Sequence, residues 1–105
     1  MHVTVDLRSA SPTVFLVEPS DCRSFDVVVH GSGDDEALDQ ALAGASVGWT
    51  EGTDALVTVA AVRRLAAGSV GEGWESDLRA MLDYARSRGW LTEDGQSIRA
   101  HVEWQ

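Results

Sequence analysis

The chain has 105 residues, 44% of them hydrophobic, which is the size and composition of one ordinary globular domain, residues 1–105. Seventeen acidic residues stand against eight arginines and no lysine, so the formal net charge is −9. A surface of this charge repels polyanions and lacks basic clusters, so we expect no nucleic acid and no anionic membrane as partner, whereas a basic protein or cationic ligand would be attracted.

Other features of the composition favour a soluble cytoplasmic protein. No apolar run approaches the ~18 residues of a membrane span, and the N-terminal residues show no basic-then-apolar export signal. A single cysteine, Cys22, cannot form an internal disulfide and suits a reducing compartment.

The first half of the chain predicts three strands and a helix. Residues 2–8 and 13–18 are rich in alternating or consecutive apolar residues and predict a hairpin, and residues 24–30 alternate again and predict a third strand. Ser32 or Gly33 then caps a short helix that has acids in its first turn and ends at Gly44.

Residues 46–60 are compatible with two interpretations. Val47 and Trp49 could belong to one short strand and residues 55–57 to another, with Thr58 capping a helix over residues 59–67. Alternatively, a single longer helix begins at Asp54, an interpretation that the β-branched residues disfavour only mildly.

The last third carries the clearest pattern. Trp74 to Arg88 has the 3.6-residue apolar period of an amphipathic helix, Gly89 occupies the position of a left-handed C′ residue, and Trp90 the C″ position. A turn over residues 93–95 precedes a strand over residues 97–104, whose residues alternate between inward apolar and outward polar.

The element order is β-β-β-α-(β-β)-α-α-β. Strands that cluster early and helices that cluster late are typical of an α+β fold rather than of alternating βαβ units. We expect a mostly antiparallel sheet of about four to six strands, with two or three helices packed on one face and the other face in water.

The outward face of the last strand is the best candidate for a binding site. Arg99, His101 and Glu103 share it, and an arginine, an imidazole and a carboxylate together could bind an acid or move a proton. If this strand paired with the first one, His2 and Asp6, together with the Arg8 that follows them, would join the same surface.

Two glycine-rich loops are weaker candidates. His30 opens the first, His30-Gly31-Ser32-Gly33, which resembles the oxyanion loop of α/β-hydrolase esterases and could present backbone N–H groups to an anion. The G-x-S-x-G nucleophile elbow of that family is absent, and acids follow the loop directly, which favours a plain capped helix. The second loop, residues 68–73, cannot be a phosphate-binding P-loop without a lysine, so a mobile connector or lid is expected.

The sequence indicates no catalytic set, no cofactor and no metal. None of the cysteine, histidine or acidic residues has the spacing of a known metal motif, and Cys22 has no neighbouring base to activate it. Three of the four tryptophans, Trp74, Trp90 and Trp104, occupy inward or helix-capping positions and are expected in the core. Trp49 is either another packed aromatic residue or exposed beside Glu51 and Asp54, where it would suit a cationic partner.

The segment from Trp74 to Trp104, with its Tyr84-Ala85 and Gly89-Trp90 pairs and the strand Ile98–Glu103, resembles small uncharacterised proteins of high-GC actinobacteria. That resemblance implies no activity, cofactor or site. From the residues, we expect an acidic, non-catalytic binding module whose partner is a protein, a ligand or a second copy of itself. The alternative is a small enzyme or metabolite-binding protein that uses Arg99, His101 and Glu103 with residues 68–73 as a lid.

Overall fold

A computed structural model describes all 105 residues. Six strands and three helices follow one another in the predicted order: β1 (His2–Asp6), β2 (Thr13–Val17), β3 (Asp26–His30), α1 (Asp35–Gly44), β4 (Gly48–Glu51), β5 (Asp54–Thr58), α2 (Val59–Ala66), α3 (Trp74–Ser87) and β6 (Ser97–Trp104). The strand interpretation of the middle segment is confirmed, and Thr58 caps α2 by accepting a hydrogen bond from the Ala61 N–H at 3.1 Å.

All six strands form one sheet in the order β2-β1-β3-β6-β5-β4. Three of its pairings are antiparallel, β1 with β2, β4 with β5 and β5 with β6. The two central pairings, β1 with β3 and β3 with β6, are parallel. The predicted α+β class and the predicted β1–β2 hairpin are therefore confirmed, within a sheet of mixed direction.

The core lies between the sheet and the helices, which pack on one face as predicted. Register places Val3 opposite Val27, Val5 opposite Val29, and Val57 opposite Ile98, so alternate residues of neighbouring strands share a face. These buried residues form one cluster with the buried side chains of all three helices, among them Leu38, Leu42, Val62 and Leu78.

Side-chain hydrogen bonds and caps fix the helices to the sheet. Asp34, rather than the predicted Ser32 or Gly33, is the N-cap of α1 and accepts a bond from the Ala37 N–H at 2.9 Å. One turn further, the Asp39 carboxylate accepts from the Thr50 N–H at 2.8 Å and from its hydroxyl at 3.2 Å. Because Thr50 lies on β4, an edge strand, this contact satisfies one backbone donor at the outer edge of the sheet.

The end of α3 has the predicted geometry. The Gly89 N–H donates to the Arg86 carbonyl at 3.1 Å and the Trp90 N–H donates to the Ala85 carbonyl at 2.8 Å, with Gly89 at φ +78°. These two bonds define a Schellman motif. None of the three helices is long and apolar enough to cross a membrane.

The four tryptophans differ in burial more than the sequence indicates. Trp74 is buried against the core, whereas Trp90 and Trp104 remain 42% and 39% exposed. Trp90 packs edge-on against the Tyr84 ring, with centroids 5.9 Å apart, and Arg88 lies over its ring. The prediction that Trp104 belongs to the core was wrong, because β6 continues past its pairing with β5, which reaches only from Ser97 to His101.

Candidate functional site

The face of the sheet opposite the helices, here called the open face, carries the strand residues proposed from the sequence as candidate site residues. Strand alternation and register define it, because most of the residues between its members belong to the core cluster or pack against it. Its members are His2, Thr4, Asp6, Thr13, Phe15, Val17, Asp26, Val28, His30, Trp49, Glu51, Asp54, Leu56, Arg99, His101 and Glu103.

Two rows of this face begin with an aromatic residue and continue to buried neighbours. One row runs Phe15, Thr4, Val28 and Glu103 across four strands, and the other runs Trp49, Leu56 and Arg99 across three. Leu56 is buried although no helix covers it, because it lies between Trp49 and Arg99. Trp49 itself is 41% exposed and Phe15 45% exposed, so the outer members of the rows present apolar surface to solvent.

Arg99 is the centre of a small charge cluster. Its guanidinium donates to the Glu51 carboxylate at 2.6 Å and to the Asp54 carboxylate at 3.3 Å. The hydrogen bond to Glu51 and, as the next largest cause, the hydrogen bond to Asp54 raise the pKa of Arg99. Since both terminal nitrogens are already bonded to carboxylates, this guanidinium is poorly placed to bind an anion.

His101 and Glu103 are exposed on the same face as Arg99, as expected from alternation. Successive members are separated by two residues of an extended strand, about 7 Å. His101 lies opposite Asp54 on β5, and Glu103 lies opposite Val28 on β3. The three side chains are therefore neighbours on one surface, and the structure records no hydrogen bond that joins them.

His30 lies at the end of β3, opposite Asp6 rather than beside Arg99. The Arg8 side chain and backbone donate to the Asp6 carboxylate at 2.9–3.0 Å, and these bonds lower the pKa of Asp6 to about 2. The expected direct pairing of the first and last strands is absent, because β3 lies between β1 and β6. His2 and Asp6 are thus on the same face as the β6 residues but two strands away.

The loop over residues 68–73 does not lie over the open face. It joins α2 to α3, both of which pack on the opposite side of the sheet. Ser69 lines a cavity of about 970 Å³ between α3 and the loop that joins β2 to β3. The prediction of a lid over Arg99, His101 and Glu103 is therefore not supported by the position of this loop.

That cavity is the site that sequence reasoning missed. It is lined by the loop residues from Glu18 to Arg23, by Ser69, and by Asp77, Ala80, Met81 and Tyr84 of α3. The α3 residues have the spacing of a helical stripe, which the sequence does show. The opposing loop reaches this stripe only through tertiary packing, so the sequence offers no signal for the cavity itself.

No group of three or more histidine, cysteine, aspartate or glutamate side chains is arranged to hold a metal ion. The structure presents aromatic surface, carboxylates and one ion-paired arginine on the open face, and a separate open cavity beside α3. No protein-family model, curated protein or solved structure matches this chain.

Proposed function

We propose that this protein is an acidic, non-catalytic binding module that holds an arginine-containing segment of a partner protein on its open face. One observation carries the proposal: the exposed Trp49 ring shares this face with the carboxylates of Glu51 and Asp54. A ring with carboxylates nearby is the environment that a guanidinium prefers, because it can stack on the one and donate to the others. Arg99 bonds only one oxygen of each carboxylate, so Glu51 Oε2 and Asp54 Oδ1 remain as acceptors for an incoming guanidinium.

The charge of the open face supports a cationic occupant. It carries five carboxylates and a single arginine, Arg99, the carboxylates being those of Asp6, Asp26, Glu51, Asp54 and Glu103. Asp26 and Glu103 have no side-chain hydrogen bond or ion pair. Since the chain as a whole has a net charge of −9, long-range attraction would act in the same direction as these local carboxylates.

The other candidate residues, His101, Glu103 and His30, lie around the row that contains Trp49. His101 and Glu103 extend the acidic surface from the Trp49 row toward β3, and His30 lies on its far side beside Asp6. A cytoplasmic location is part of the proposal, and the free thiol of Cys22 is compatible with it. The alternative of an enzyme or metabolite-binding protein built on Arg99, His101 and Glu103 stays a prediction.

The test is a titration of the isotope-labelled protein, followed by NMR, with a short peptide of alternating arginine and glycine. A lysine–glycine peptide of the same length controls for charge alone. We expect shifts concentrated in β4, β5 and β6, tighter binding of the arginine peptide by about threefold to fivefold, and weakening by salt. Trp49→Ala should abolish the preference for arginine, whereas Trp90→Ala, at an exposed tryptophan outside the open face, should keep it.

Shifts scattered over the whole surface, or an arginine preference that survives Trp49→Ala, would refute the proposal. Sedimentation of the protein alone supplies the competing outcome. A dimer that Trp49→Ala dissociates would show that the occupant of the open face is a second copy of the chain and would overturn the partner proposal.

A further inference from the structure

The cavity beside α3 has the size and lining of a small-molecule site. Its volume of about 970 Å³ lies at the upper end of the range that ligand sites occupy. Pro19, Ala80 and Met81 supply apolar surface, the Tyr84 ring supplies an aromatic face, and Glu18 and Asp77 supply carboxylates. It lies outside the open face and shares no residue with it.

One wall of the cavity is a single stripe of α3. Asp77, Ala80, Met81 and Tyr84 follow one another at spacings of three, one and three residues, so they line one side of the helix. Met81 is buried and joins the core, whereas Tyr84 is 57% exposed. The stripe therefore lies at the surface, with an exposed carboxylate at one end, an exposed ring at the other, and Met81 reaching into the core between them.

The opposite wall is a loop held in place by hydrogen bonds from outside it. The Trp74 indole Nε1–H donates to the Pro19 carbonyl at 2.7 Å. The Met1 ammonium donates to the carbonyls of Asp21 at 2.7 Å and Ser24 at 3.1 Å. These contacts fix the loop without any ligand, so the cavity is already formed and binding would not have to order it.

The carboxylates of the cavity are not equally available. Asp21 is bonded to the Arg23 guanidinium at 3.0 Å. Glu18 and Asp77 take part in no side-chain hydrogen bond and no ion pair. Glu18 nevertheless lies close enough to Arg23 to help raise the pKa of that guanidinium, so Asp77 is the more available carboxylate. A carboxylate outside any ion pair, next to apolar side chains and an exposed ring, complements a molecule with a positive head and an apolar body.

We propose that this cavity binds a small organic cation, a primary amine or guanidine carried on an apolar or aromatic body. Asp77 takes the charge, while Met81, Ala80 and Tyr84 contact the body. The proposal is independent of the function proposed for the open face, because the two surfaces lie on different parts of the fold.

Cys22 allows a direct test, because it is the only cysteine and lines the cavity. The rate at which iodoacetamide alkylates it is measured with increasing phenethylamine, and with 3-phenylpropionate as an anion of similar shape. We expect saturable protection by the amine and none by the acid. Absence of saturable protection by the amine, or equal protection by both compounds, would overturn the proposal.

Variants then locate the binding. Asp77→Asn and Tyr84→Ala should each weaken phenethylamine binding by about threefold to fivefold, measured by NMR titration. Asp83→Asn, an exposed carboxylate of the same helix that does not line the cavity, is the matched control and should leave the affinity unchanged. Equal weakening by Asp77→Asn and Asp83→Asn would reduce the effect to overall charge and refute the site.

The variant Trp49→Ala separates the two proposals. It should remove the arginine preference of the open face and leave phenethylamine binding intact, so the failure of one proposal is distinguishable from the failure of the other.

Discussion

The open face and the cavity are both acidic, but their charges are arranged differently. On the open face, Arg99 forms ion pairs with Glu51 and Asp54, and Asp6 forms an ion pair with Arg8, which follows strand β1. In the cavity, Arg23 pairs with Asp21 and lies near Glu18, whereas Asp77 takes part in no ion pair. Net charge alone therefore does not identify a site: the open face suits several weak contacts over a broad surface, and the cavity suits one cation.

The two surfaces also depend on different parts of the fold. Every row of the open face requires neighbouring strands in correct register, so a local shift in one strand displaces the side chains of the whole row. The cavity requires one helix and one loop, joined by the bond from Trp74 to the Pro19 carbonyl. Damage to the sheet edge should therefore affect the open face first.

The largest effect is expected from Gly48→Ala. A Cβ at Gly48 would lie 1.8 Å from the backbone carbonyl oxygen of Leu56, so β4 would have to move away from β5. We expect a loss of about 2–3 kcal/mol in the free energy of unfolding, measured by urea denaturation. Because Trp49 follows directly, arginine-peptide binding should fall as well, while phenethylamine binding persists in the folded fraction.

Gly44→Ala is the matched control for this substitution. Gly44 ends α1, and a Cβ added there would have no other atom within 4 Å, so alanine should be neutral or stabilise the protein by up to about 1 kcal/mol. A similar loss of stability in both variants would show that the close approach of β4 and β5 is not the cause.

Arg99→Met tests whether the ion pairs of Arg99 reduce the affinity of the open face for a cationic peptide. Arg99 is partly exposed, so we expect a change of less than about 1 kcal/mol in stability. Removal of the guanidinium frees Glu51 and Asp54, so affinity for the arginine peptide should rise by about threefold, measured by NMR titration. Weaker arginine-peptide binding would contradict the proposed role of these carboxylates.

Arg23→Met is the reciprocal control. Arg23 neutralises Asp21 at the cavity, so its removal should strengthen phenethylamine binding and leave arginine-peptide binding unchanged. If Arg99→Met strengthens only arginine-peptide binding and Arg23→Met strengthens only phenethylamine binding, the two surfaces bind cations separately.

The smallest effect is expected from the pH dependence of the Asp6–Arg8 pair. Hydrogen bonds from Arg8 lower the pKa of Asp6 from 3.8 to about 2 in the folded protein. A carboxyl whose pKa is lower in the folded state stabilises it above pH 4, and this contribution disappears as the pH falls from about 4 to about 2. Thermal unfolding of Asp6→Asn should therefore converge with that of the unchanged protein near pH 2. A difference that is constant from pH 5 to pH 2 would exclude ionisation as its source.

Part of the candidate site could be predicted from the sequence. Strand alternation correctly places Arg99, His101 and Glu103 on one face, and the exposed Trp49 near Glu51 and Asp54 was one of two interpretations. The ion pairs of Arg99 could not be predicted, because its partners lie 48 and 45 residues earlier in the chain. The cavity could not be predicted for the same reason, since its two walls are separated by about fifty residues of sequence.

Local pattern was enough to predict the order and type of seven of the nine elements and the Gly89 end of α3, whereas β4, β5 and the Thr58 cap belonged to one of two interpretations left open for residues 46–60. These features depend on side-chain period and on contacts within a few residues, both of which can be seen in a linear sequence. Tertiary packing was needed to establish that β3 lies between β1 and β6, that the central strands are parallel, and that a loop closes against α3. Strand partners are chosen by competition among distant segments for the same core, and a local pattern carries no information about that competition.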